Sequence, residues 1–159
     1  MIKINTGDHS GSIHGTAFLA IPGRHRHRVE WALRELVKIP KSHPRADTYF
    51  TSLPGGRSLT QLLDDTSNDI WINYSADTSA MGFALTTHAT DIWLGRGSLR
   101  YGKRAVLATI IHELAHINGA SGRDHAAERA VYECGLGGDW EFRTGIDNPF
   151  TPYHPGTSG

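Results

Sequence analysis

The chain has 159 residues, one cysteine, and sixteen Lys plus Arg against sixteen Asp plus Glu, a formal net charge of zero. With no apolar run near the roughly 18 residues of a membrane helix and no broad basic field for phosphates, it reads as a single soluble domain over residues 1–159, with no membrane and no nucleic acid as partner. Hydrophobic residues at 38% suffice for an ordinary core, the lone Cys134 rules out an intramolecular disulfide, and ten histidines direct attention to metal chemistry.

The first sixteen residues read as a loop-like lead-in, and residues 5–16 are rich in Gly, Ser, His and Asn without a period. No h-region or cleavage site is visible, so synthesis in the cytoplasm without a signal peptide is expected, with any export by a leaderless route. Residues 23–28 (GRHRHR) read as a solvated face rather than a seat for an anionic partner. Val29, Ala32, Leu33, Leu36 and Val37 follow helical spacing and predict a helix over residues 28–39, stopped by Pro40. After the turn at 54–56, Ser58 is placed to cap a short helix reaching Leu62 or Leu63. The β-branched and aromatic stretches 69–74 and 91–94 predict strands, with a third over 83–86. Residues 145–159 form an irregular tail, since three prolines fall between 149 and 155.

Residues 103–119 (KRAVLATIIHELAHING) are strong helix formers closed by a glycine suited to a helix C terminus. At 100° per residue, His112 and His116 lie about 40° apart, so both imidazoles leave one face and can hold one metal ion. Glu113 flanks them, offset to reach a metal-bound water rather than the metal. Ala105, Ala108, Thr109 and Gly119 share the histidine face while Leu107, Ile110, Leu114 and Ile117 oppose it, which predicts a pocket on one side and core on the other.

Catalytic zinc requires a third protein ligand and an open fourth position. Gly119 and Gly122 let the chain reverse into a second helix with an apolar face of Ala127, Ala130, Val131 and Cys134. His125, Glu128, Arg129 and Tyr132 fall on its other face. His125 is the preferred third ligand. Glu128 is its rival, or a solvent-facing carboxylate, or one that orients a ligand histidine. Asp124 reads as a helix cap and Cys134 as a buried inert thiol. His9, His14, His43 and His88 sit in loop-like contexts and are given no role.

With HExxH at 112–116 preceded by a strand at 91–94, residues 91–134 resemble zincin metallopeptidases. The resemblance implies an α+β fold, a compact domain with a small sheet packed on the helix that carries the motif. It excludes the metzincin branch, because residue 122 is Gly where the third histidine should stand and both methionines, Met1 and Met81, lie upstream. The spacing is closer to the deuterolysin-like aspzincins, whose Gly-Thr-x-Asp segment falls where this chain has Gly122, Arg123, Asp124 and His125. His125 replaces that family's Asp, Arg123 its Thr, and Glu128 stands where the family has a Tyr. The short chain is also similar in style to metallopeptidase toxin domains that bacteria deliver into target cells, which implies a cognate immunity protein or a secretion-system component as partner.

The resemblance implies Zn²⁺ held by His112, His116 and His125, with Glu113 taking a proton from the zinc-bound water as it attacks a protein or peptide amide and returning it to the leaving amine. Tyr132, Tyr101, Arg123 and His154 are candidates to stabilise the oxyanion. A zinc amidase acting on cell-wall peptide and a non-catalytic binding module with a structural metal are the alternative functions.

Overall fold

The computed structural model describes residues 1–76, 81–85 and 88–136, except for the side chains of residues 88 and 89. In chain order the elements are β1 (Ile2–Ile4), β2 (Ser12–Ile13), β3 (Thr16–Ala17), α1 (Gly23–Leu36), α2 (Ile39–Ser42), α3 (Pro44–Ser52), α4 (Leu59–Asp64), β4 (Ile70–Ser75), β5 (Gly82–Leu85), β6 (His88–Gly95), α5 (Arg96–Tyr101), α6 (Lys103–Ile117) and α7 (Ala126–Glu133). The fold is α+β, as expected. The predicted tail at 145–159 lies outside the described residues.

Among the described residues, four strands form a mixed sheet in the order β1-β4-β6-β5, with β1, β4 and β6 parallel and β5 antiparallel at one edge. Alternation along β4 and β6 turns Ile70, Ile72, Ile92 and Leu94 toward the apolar core and Trp71, Asn73, Asp91 and Trp93 toward the opposite face. α6 packs against β5 and β6 and is covered by α1, α5 and α7. It is buried from Ala105 to Glu113 and on through Ala115, so the expected division into a pocket side and a core side does not hold. Both faces are covered by neighbouring elements. No helix among the described residues is long and apolar enough to cross a membrane.

The segment read as a loop-like lead-in is irregular and largely exposed over residues 6–11, as that reading expected, but it is anchored to the sheet at Asn5 and His9. β2 and β3 make a small antiparallel hairpin, and the chain around it folds over the polar and aromatic face of the sheet. His9 stacks on Trp71 with centroids 4.6 Å apart, Phe18 on Trp93 at 5.8 Å, and the Trp93 indole N–H donates to the Ala17 carbonyl at 2.9 Å. Beneath them the buried Asp91 carboxylate accepts from His9 Nε2 at 2.9 Å and from Asn73 Nδ2 at 2.8 Å, and Asn73 in turn accepts from Asn5. His9, given no role from sequence, pins this segment to the sheet.

Two helices arise where the sequence suggested only a stop. Pro40 and Pro44 fall in the first turns of α2 and α3, where a missing N–H costs nothing because those donors lack intrahelical partners anyway. The first helix begins at Gly23 rather than residue 28, since the basic run joins it without contributing apolar periodicity. The Ser58 cap is present as a capping box with Gln61.

Candidate metal centre

α6 presents the motif and its C terminus fixes the motif's geometry. Gly119, at φ +88°, closes a Schellman cap in which its N–H bonds the His116 carbonyl at 2.9 Å and the Ala120 N–H bonds the Ala115 carbonyl at 2.9 Å. The buried Asn118 clamps the neighbouring turn, donating through Nδ2 to the carbonyls of Phe50 at 2.8 Å and Arg57 at 2.7 Å. The cap also delivers the Ala120 carbonyl to His116 Nδ1, 2.8 Å away. A carbonyl only accepts, so the proton of a neutral His116 sits on Nδ1 and Nε2 keeps its lone pair.

That lone pair faces His112. The two Nε2 atoms are 3.0 Å apart and the rings meet edge to face at 67°. Tetrahedral zinc with Zn–N bonds near 2.05 Å separates two nitrogen ligands by about 3.3 Å, so the pair is close to one edge of such a shell. His112 is buried, and burial first and the neighbouring His116 second push its imidazole down to about 3, which keeps it neutral and able to ligate.

On the far side of the His112 ring, Nδ1 faces Glu128 Oε1 at 3.6 Å, while Glu128 Oε2 faces His125 Nδ1 at 3.9 Å. One carboxylate therefore lies between two imidazoles. Glu128 is only 2% exposed, which overturns the solvent-facing reading. α7 is amphipathic in sequence, but α3 and α6 cover more of it than its apolar stripe alone requires, and the Tyr49 hydroxyl donates to the Ala126 carbonyl at 2.9 Å to tie α3 to its first turn. The proximity of His125 and Glu128 was legible in their i, i+3 spacing, whereas the burial of Glu128 was not.

His125 immediately precedes α7 in the left-handed conformation, φ 58° and ψ 20°. For a residue with a Cβ this backbone costs about 1–2 kcal/mol, and such strain collects at functional sites. Asp124, expected as the cap, stands one residue outside it: His125 is the N-cap residue of α7 and makes no side-chain cap bond, while Asp124 Oδ1 accepts the Ala126 N–H at 3.2 Å. Glu113 is 4% exposed, next to His112, and its carboxylate lies under the edge strand: a Cβ on Gly82 would stand 3.7 Å from Glu113 Oε1 and only 2.5 Å from Thr109 Cγ2. β5 approaches α6 this closely because residue 82 has no side chain.

The structure thus brings His112, His116, Glu113, His125 and Glu128 into one neighbourhood. Among the described residues, however, no three His, Cys, Asp or Glu side chains converge as a metal-holding group; what stands there is the facing pair of His112 and His116. Of the residues considered for the oxyanion, Tyr101 is 59% exposed and just precedes α6, at the opposite end of that helix from His116. Tyr132 is 40% exposed on α7, Arg123 is exposed in the preceding turn, and His154 lies outside the described residues. Cys134 is buried and its thiol is pushed well above the usual range by that burial, as suits an inert core residue. The chain matches no protein-family model, no curated protein and no solved structure.

Proposed function

We propose that this chain is a zinc-dependent metallo-endopeptidase in which His112 and His116 supply two metal ligands, His125 the third, and Glu113 the general base. The single observation that carries the reading is the pair of facing Nε2 atoms, 3.0 Å apart, with the tautomer of one of them set by the Ala120 carbonyl. If the His112 proton sits on Nδ1, toward Glu128, two lone pairs confront each other, and a shared cation satisfies both. A proton on His112 Nε2 is the competing solution, and metal titration separates the two.

Bound there, zinc would supply Lewis acidity, lowering the pKa of a water and polarising a carbonyl. Glu128 serves the ligands from behind. Its carboxylate, 3.6 Å from His112 Nδ1 and 3.9 Å from His125 Nδ1, would orient both rings once the ligand set closes. Closure of the ligand set requires His125 to move toward the pair, a shift for which its strained position at the end of a glycine-containing turn is suited. Glu113 accepts a proton from the water that attacks the amide carbon, and the same proton passes to the leaving nitrogen as the C–N bond breaks. Burial of Glu113 beside β5 keeps bulk water from competing for that transfer.

Hydrolysis of a quenched fluorescent protein substrate by zinc-loaded chain tests the proposal. Glu113→Gln should retain zinc and fold while losing activity by about 10²-fold or more; a variant as active as the parent overturns the mechanism. The similarity to delivered toxins extends the proposal to an effector acting inside a target cell. Expression in the bacterial cytoplasm or periplasm should then arrest growth in one compartment, with Glu113→Gln abolishing the arrest.

A further inference from the structure

We infer that the end of the molecule formed by the start of α1, by α5 and by the start of α6 is a docking surface for an acidic segment of a partner protein. Residues 23–28 and 96–104 hold seven of the chain's sixteen Lys and Arg and none of its sixteen Asp and Glu. The fold brings these two stretches together. Arg28 donates to the Leu99 carbonyl, and Lys103 Nζ lies 4.7 Å over the Trp31 ring, so the face of α1 carrying Arg24, Arg28 and Trp31 at i, i+4 and i+7 meets the corner between α5 and α6. On α5, Leu99 and Ser98 are buried, which leaves Arg96 and Arg100 outward at i and i+4. Lys103 and Arg104 are exposed in the first turn of α6. Neither α1 nor α6 has a side-chain cap or an acid in its first turn, so the positive ends of both helix dipoles add to the field instead of being neutralised.

Such a concentration of like charge is destabilising by self-repulsion and calls for an anionic counterpart. The charge distribution favours a protein over a nucleic acid. The chain as a whole is neutral, so the remainder carries nine cations against sixteen anions, and a long phosphate backbone overrunning the patch would meet repulsion there. A short run of carboxylates would not. Arg26 leaves the opposite side of α1, so the face holds six of the seven cations, and five of these, Arg24, Arg28, Arg96, Arg100 and Arg104, are arginines, whose planar forks pair bidentately with carboxylates; Tyr101 stands 59% exposed among them, the residue pairing found at protein-binding hot spots. Arg104 is eight residues from His112, about 12 Å along the α6 axis, so the surface is separate from the histidine pair and does not rest on its metal chemistry.

Fluorescence anisotropy with a labelled Glu-rich peptide, and with an oligothymidylate of equal length, tests the inference on the full chain. The peptide should bind at low salt and weaken toward about 0.15 M salt. Combined Arg24→Glu, Arg100→Glu and Arg104→Glu should weaken it about tenfold or more, while Arg45→Glu, on α3, should leave it within about twofold. Should circular dichroism show the triple variant unfolded, the milder Arg100→Gln and Arg104→Gln pair serves in its place. No saturable peptide binding, equal loss with Arg45→Glu, or tighter binding of the oligothymidylate through the same arginines would overturn the inference.

Discussion

His116 donates through Nδ1 to the carbonyl of Ala120, 2.8 Å away, and Ala120 is the residue whose own N–H closes the cap on α6. Helix termination and imidazole tautomer are thereby one structural event. Gly119 is the hinge of this arrangement, at φ +88° and with Pro54 Cβ and Gly55 N each 3.0 Å from where its Cβ would stand. Gly119→Ala should cost about 1–3 kcal/mol in denaturant unfolding and weaken zinc binding by roughly 10-fold or more, since it displaces the carbonyl that orients His116. Unchanged zinc affinity in a destabilised variant would show that the cap and the imidazole are independent.

The burial of His112 predicts a pH dependence of stability for the metal-free protein. Its imidazole is pushed from 6.5 down to about 3 in the folded chain, so between those values the unfolded state binds a proton that the folded state refuses. Stability conferred by this group is complete above about 6.5 and declines as pH falls toward 3, with a limiting slope of about 1.4 kcal/mol per pH unit. Urea unfolding with chelator present should give a steeper profile for the parent than for His112→Gln over that window. Parallel profiles would contradict the assignment.

The pairing of His9 with Asp91 predicts a local effect. Loss of a partner to a buried carboxylate costs about 1–3 kcal/mol, and His9→Ala also removes the ring stacked on Trp71. Amide exchange should accelerate across residues 5–19 while zinc content stays unchanged, because this network lies on the sheet face turned away from the apolar core.

For the third ligand, His125→Ala should lose most of the bound zinc and Glu128→Gln less, the latter acting through the orientation of His112 and His125. Metal retained in His125→Ala and stripped in Glu128→Gln would assign the ligand to Glu128.

What was legible in the sequence follows from which forces are local. α6, its closing glycine, the Ser58 cap and the strands at β4 and β6 depend on propensity and short-range pattern, and they are found where those signals lie. α2 and α3 were hidden because proline marks a helix start as readily as a stop, and the difference depends on what packs next. The segment around His9 carries no periodic signal. It is ordered by stacking on Trp71 and Trp93 and by a buried polar network reaching across more than sixty residues of chain, which no local window contains. At the site, the shared face of His112 and His116 was fixed by helical geometry, while the placement of Glu128 between two imidazoles depended on the packing of α7 against α6.

Zinc stoichiometry of the purified chain, measured after exposure to excess zinc and removal of the unbound metal, decides whether His112 and His116 share a metal ion. The parent should hold about one equivalent per chain, and His112→Ala and His116→Ala should each hold almost none while keeping their helical circular dichroism. A folded parent that binds no zinc, or a doubly substituted chain that binds as much as the parent, would contradict the metal site and with it the peptidase reading.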